Sequence, residues 1–312
     1  MKRKSIRLLF VTIIMVLSSS MLVMGSQKSN MEQFLKYCKE GNFKVAKKYA
    51  KKLPKYANEK CVKKMSKKMK NAYNEKLKSI ASKVGRYYYM DIDNDNKVEL
   101  LVVKAYDNVL SRMCVYKYKN HKVKYITSCD SMNSDYHVYP GYNGIVRNCN
   151  HNSFQIITLL TMKKNKLKKE VILDTYIEDK YIKIPLQLKE QKKGPYMIRF
   201  YRLLDDCEKE YNSAYTQYDI NMAANYEYKL WNKEFNKVYK KELSLLGKKK
   251  KDKLKESTEN WLAKIDEKAQ KQASDFEGGS AYSSVYVEAK SAILKKRIKW
   301  MIKNYKDVGC KM

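Results

Sequence analysis

The residues best placed to do chemistry in this 312-residue chain lie in one short acidic turn. The run Asp91-Ile92-Asp93-Asn94-Asp95-Asn96-Lys97-Val98-Glu99-Leu100 puts carboxylates at positions 1, 3, 5 and 9. In a tight loop the alternate residues face away, so Asp91, Asp93 and Asp95 converge on one point. Hard Ca²⁺ wants such an oxygen cage, completed here by the backbone carbonyl of Lys97 and the side chain of Glu99. The metal set read from the spacing is therefore Asp91, Asp93, Asp95, Lys97 and Glu99. The same residues also read as a strand-to-strand turn held by Asx hydrogen bonds. Paired carboxylates can do acid–base work, so a metal-dependent hydrolase acting at the cell envelope is the enzymatic alternative. Cys129, His137, Cys149 and His151 do not have the spacing of a zinc site. With three histidines, no glycine-rich phosphate loop and no nucleophile elbow, the chain reads as non-catalytic.

The elements that must hold this turn are strands. From Tyr87 the apolar pattern changes to period two, rich in tyrosine and β-branched residues. Strands are expected at Arg86–Met90, Val98–Lys104, Met113–Tyr118, Val123–Thr127, Phe154–Leu160, Leu167–Leu173 and Tyr181–Pro185. Lys119-Asn120-His121-Lys122 and Lys163-Lys164-Asn165-Lys166 look like hairpin turns, so 85–200 reads as one antiparallel meander. Over its ten residues the acidic turn resembles the DxDxDG calcium loops of FG-GAP-type and dockerin-type repeats, in which position 9 is acidic. Asn96 stands where those loops carry glycine, and asparagine also tolerates positive φ. Position 12 is Val102, so the loop is not an EF-hand.

The chain begins like an exported one. Lys2, Arg3, Lys4 and Arg7 precede an apolar run from Leu8 to Leu17, with small residues at Ser18, Ser20 and Gly25, so 1–25 reads as a signal peptide. An uncleaved anchor is the alternative, and the only expected route to a membrane. The formal net charge is +33. An exported protein this basic meets anionic partners, chiefly wall polymers and lipid head groups, although an AT-rich codon bias would also enrich Lys, Tyr, Asn and Ile. No nucleic-acid-binding motif is present. Between 31 and 80 there are 16 lysines against 4 glutamates, and 31–84 reads as a basic helical segment. It carries an αα-hairpin broken at Gly41-Asn42, with Pro54 opening a further helix.

The last third has helical periodicity. Ile220, Ala224, Trp231, Phe235, Val238 and Leu243 mark a first helix, ended by Gly247. Leu254, Thr258, Trp261, Ile265, Ala269 and Phe276 mark a second, ended by Gly278-Gly279, and Val285, Ala289, Ile293, Trp300 and Met301 mark a third. Short connections predict an up-down-up bundle, with Trp231, Trp261 and Trp300 as a shared aromatic core. Thr216-Gln217 with Asn221, the run from Glu234 to Tyr239, Leu254, Trp261, Asp266, Gly278-Gly279-Ser280 and Arg297 together resemble the lysozyme-inhibitor-like LprI family, small secreted helical domains. The resemblance implies a three-helix LprI-like domain over 207–307 and a protein partner, in its sharpest form a lysozyme-type muramidase that is inhibited. The family usually carries cysteines where this chain has Ala223, Ala269 and Ala289, and a basic residue where it has Ile265.

Export permits disulfides, and seven cysteines leave at least one thiol over. Cys38 with Cys61, on neighbouring helices, and Cys129 with Cys149, flanking a loop-rich stretch, are the expected pairs. Cys207 and Cys310 belong at opposite ends of the bundle, beyond bridging range. The chain thus reads as an α+β protein: a helical N-terminal segment, an antiparallel β domain with the DxDxD turn, and a C-terminal helical bundle. The expected function is an exported, non-catalytic cell-envelope binding protein, with a protein or an anionic wall polymer as partner.

Overall fold

The computed structural model describes residues 25–56, 65–106, 109–176, 181–191, 193–305 and 307–311. The leader up to residue 24 and Cys61 lie outside them. The fold is α+β, and the chain separates into two units, Met1–Gln191 and Lys192–Met312, described here one at a time.

In the first unit, helix α1 (25–39) turns at Gly41 (φ +70°) into α2 (Phe43–Ala50). Asn42 caps α2 by accepting from Val45 N, and Tyr37 stacks on Tyr49 across the hairpin at 5.6 Å. Pro54 does not open a helix. Its carbonyl accepts from Leu186 N, and that of Lys55 accepts from Gln187 N, so the segment runs extended beside 185–188. The next helix, α3 (Lys67–Ser79), starts at Ser66, whose hydroxyl accepts from Met69 N.

The expected single meander is two sheets. β1 (Val84–Met90), β2 (Glu99–Tyr106), β3 (Val109–Lys119) and β4 (Lys122–Asp130) form one antiparallel sheet in sequence order. β5 (Ser134–Val138), β6 (Gly144–His151), β7 (Phe154–Lys163) and β8 (Lys166–Tyr176) form the second. Both expected hairpin turns are present, with paired positive φ at Asn120 and His121 and at Lys164 and Asn165, as two-residue hairpins require. β5 and β6 escape sequence reading because their stretch is broken by Pro140, Gly141, Gly144 and several asparagines. Tyr181–Pro185 is extended but joins no ladder. Pro185 has no N–H to give, and Leu186 takes φ +56°. Gln155 instead fastens it, exchanging hydrogen bonds of 2.8 Å with both backbone groups of Ile182.

Alternation along the strands builds the layers. Tyr88, Leu101, Val103, Met113 and Val115 of the first sheet meet Tyr136, Ile145, Leu160 and Met162 of the second. Val146, Ile157, Leu159 and Ile172 on the opposite face of the second sheet pack on Met31, Phe34, Leu35 and Cys38 of α1. On the outer side of the first sheet, Tyr73 of α3 lies over Tyr89 and donates to Val98 O at 2.7 Å. Gly144 is required where it stands, because a Cβ would overlap the Leu160 carbonyl oxygen of β7. Cys38, Cys129 and Cys149 are free thiols. Cys129 is buried within the intersheet core, whereas the Cys149 thiol turns to donate to Met132 O at 3.1 Å, so the expected bridge is not formed.

The second unit is helical. A two-residue ladder joins β9 (Lys193–Gly194) to β10 (Cys310–Lys311). Between them run α4 (Tyr196–Asn212), α5 (Gln217–Leu245), α6 (Lys248–Leu262), α7 (Ile265–Ala273) and α8 (Tyr282–Asn304). Two differences from the three-helix expectation stand out. The second helix is broken at Ala263-Lys264 into α6 and α7, and α4, whose first residues fell in the expected β domain, joins the core. Phe200 and Leu203 of α4 pack with Trp231, Phe235, Leu254, Ile293 and Ile298. The three tryptophans do not share one cluster. Trp231 is wholly buried 4.8 Å from Phe200, and Trp261 is half-buried against Phe235. Trp300 lies at the surface, 37% exposed. Phe200 of α4 packs on Trp231 in the core, from which Trp300 is absent.

Candidate functional sites

The acidic turn joins β1 to β2 and is organised by its own first carboxylate. Asp91 accepts from Asp95 N (3.1 Å) and Asn96 N (2.8 Å), and Asp95 accepts from Lys97 N (2.9 Å). Asn94 and Asn96 take φ of 55° and 64°, which asparagine adopts at lower cost than most residues. Glu99 sits at the first position of β2, fully buried, and accepts from Ile92 N at 3.0 Å. The Asx geometry is therefore present, and the carboxylates that converge are Asp91, Asp93 and Glu99, while Asp95 pairs with Lys117. Asp91, Asp93 and Glu99 each bring an oxygen within 4.8 Å of the others. Asp93 Oδ1 and Glu99 Oε1 are buried without a hydrogen bond. Burial, with the charges of Asp93 and Asp95 added, pushes the Glu99 carboxyl up to about 8 against the opposing pull of Ile92 N–H and Lys117. A hard, oxygen-only donor set of this kind suits Ca²⁺ by its chemistry.

Sequence reading missed the residue opposite. Lys117, near the end of β3, places Nζ 2.6 Å from Asp93 Oδ2, 2.6 Å from Asp95 Oδ2 and 3.4 Å from Glu99 Oε1. Its side chain is 15% exposed. No spacing rule could find it, because a lysine 24 residues from Asp93 reaches the turn only through the pairing of β2 with β3. Cys129, His137, Cys149 and His151 form no metal-binding cluster among the described residues. His137 is buried with Nδ1 3.2 Å from Pro185 O, and burial holds its ring down at about 4. His151 meets Asn133 at the surface.

In the helical unit most polar residues singled out by sequence serve the scaffold. Thr216 and Asp219 form a reciprocal capping box at the start of α5. Glu234 is buried on α5 and takes a bidentate grip from Arg199 (2.7 and 2.9 Å) and a hydrogen bond from Tyr196 OH at 3.1 Å. Burial raises this carboxyl, but Arg199 with Lys237 and Tyr196 more than reverses it, so it lies below the usual carboxylate range. Asp266 accepts from Tyr286 OH at 2.9 Å and pairs with Lys290 at 2.7 Å, tying α7 to α8. Arg297 stacks on Trp300 at 4.0 Å and donates to Ser257 and Thr258, tying α8 to α6. Gly278 makes the turn at φ +79°. Ala223, Ala269 and Ala289 are all buried, so methyl groups pack where the LprI family usually carries cysteine.

One exposed patch of the unit is aromatic. Tyr215, just before the Thr216 cap, and Tyr218, Met222 and Tyr226 on the first turns of α5 recur at a spacing of three to four, and all are exposed, Tyr215 at 90%. A stripe of tyrosines and a methionine on a rigid helix has the composition of a protein-binding surface. The unit is thus a helical domain with an exposed tyrosine face. Residues 207–301 of it match the family described as Lysozyme inhibitor LprI. No curated protein and no solved structure matches the chain. Among the described residues no helix is long and apolar enough to cross a membrane.

Proposed function

We propose that the chain is an exported, non-catalytic binding protein of the cell envelope, whose helical unit recognises a muramidase of the lysozyme type and blocks it. The match of 207–301 to the lysozyme-inhibitor family carries this reading. The basic, apolar leader at 1–25 supports export. Charge narrows the partner. Residues 216–306 hold 21 Lys and Arg against 12 Asp and Glu, a net +9. A surface of that sign attracts an acidic face and repels a basic one, so the muramidase in question presents acidic residues where it docks. Tyr218, Met222 and Tyr226 on α5, with Tyr215 just before it, supply the apolar anchor.

The test is inhibition of wall lysis by acidic and by basic muramidases, with the mature chain and with the Tyr218→Ala/Tyr226→Ala pair. Inhibition of an acidic enzyme is expected, weakened about thirtyfold or more in the double variant if the tyrosines behave as interface hot spots. No inhibition of either enzyme, together with salt-sensitive capture on isolated wall material, would replace the muramidase with an anionic wall polymer.

A further inference from the structure

The acidic turn is engaged from inside the protein. The Lys117 ammonium touches three carboxylates at once, and two of them, Asp93 and Glu99, belong to the trio placed to hold a metal ion. Glu99 is completely buried, and its Oε1 has no hydrogen bond and is directed at Nζ from 3.4 Å. A divalent ion bound by Asp93 and Glu99 would lie within a few ångströms of this ammonium, where like charges in a partly buried site strongly repel. The two cations are therefore alternatives.

We propose that Lys117 is the resident cation of the turn, and that Ca²⁺ enters only by displacing it. This concerns the first unit and stands independently of the muramidase reading. The route of displacement is visible. A cavity of about 660 Å³ opens beside the turn, lined by Asp95, Lys97, Lys117, Lys119, His121 and Lys124. It gives the lysine side chain room to withdraw. Its other three lysines make that withdrawal unfavourable, so the ammonium is held in the cage by the charge around it as well as by the carboxylates within it. The arrangement keeps the turn folded without metal and leaves it responsive only to high Ca²⁺. A loop with the same carboxylates and no lysine opposite would instead depend on the ion.

Calcium titration calorimetry on the full mature chain and on Lys117→Met tests this. Methionine keeps the length and removes the charge. The expected result is weak or no saturable binding to wild type in the micromolar range. One equivalent should bind the variant at least about tenfold more tightly, with Asp93→Asn in the Lys117→Met background abolishing it. Equal affinities, or no binding to either protein, would overturn the proposal. Should Lys117→Met fail to fold, acylation footprinting of the wild type decides. Lys117 is expected to react far more slowly than Lys119 and Lys124 in calcium-free buffer, and to become reactive at high Ca²⁺. A rate equal to that of its neighbours without calcium, or unaltered at high Ca²⁺, would overturn it.

Discussion

His137 makes the first unit sensitive to mild acid, and the size of the effect follows from its surroundings. The ring is 4% exposed, on β5, with Nδ1 3.2 Å from Pro185 O. Nε2 is buried with no hydrogen bond. Protonating it would put a charge on a buried nitrogen with no protein acceptor. Burial therefore holds its folded pKa at about 4, against 6.5 for a free histidine, with the charge of Asp135 and the Pro185 carbonyl opposing only in part. Because the folded value is depressed, the unfolded chain binds the extra proton between these limits, and stability falls as pH drops from about 6.5 toward 4. At 1.36 kcal/mol per unit the total loss is about 3 kcal/mol. Most carboxylates titrate near the lower limit, and Glu99, pushed up to about 8, gains stability as pH falls through this range, so the effect must be isolated by comparison with His137→Asn, whose carboxamide can still donate to Pro185 O but does not ionise in this range. Hydrogen exchange read by mass spectrometry on peptides from β5 to β7 gives local stability at pH 7, 6, 5 and 4.5. Wild type should lose about one proton's worth of slope more than the variant across this range. Identical slopes would mean that the ring is hydrated or charged in the folded protein, and the burial argument would fail.

Two further predictions concern packing. Trp231→Ala should cost about 3–5 kcal/mol, as for a large aromatic removed from a core, whereas Trp300→Ala should cost well under that, because Trp300 is 37% exposed and meets the Arg297 guanidinium and the Tyr305 ring at the surface. Denaturant unfolding of the two variants followed by far-ultraviolet circular dichroism measures both, and equal losses would contradict the assignment of only one tryptophan to the centre. Gly144→Ala should destabilise the second sheet by about 2 kcal/mol or more, since the added methyl must push β6 away from the Leu160 carbonyl. Loss of exchange protection in β6 and β7, with the helical unit unchanged, is the expected signature, and an unchanged pattern would refute it.

The acidic turn shows where reading along the chain stops. Its shape is local. Asp91 accepts from amides four and five residues on, and Asn94 and Asn96 supply the positive φ, so a sequence window of ten residues contains everything needed to see the loop. Its occupant is not local, because Lys117 arrives on β3 and only strand pairing brings it there. The helical unit divides the same way. The turn at Gly278 was written in residue type and spacing, whereas Gly247, with φ −71°, starts α6 rather than capping α5. The contribution of α4 was hidden, because its apolar residues follow directly on a β pattern and gain meaning only when Phe200 is seen against Trp231.

Sequence alone therefore determined the α+β character, the two tight hairpins, the acidic turn, the helical periodicity and the likeness of the last third to a family. All of these depend on backbone preferences and side-chain spacing within a few residues. Tertiary structure alone decided that the β region is two facing sheets, that Trp300 stays at the surface, that Cys129 and Cys149 remain apart, and that the carboxylates of the turn close on a lysine. Each of these depends on which distant segments are packed together, and burial and charge pairing between such segments leave no periodic trace in the chain.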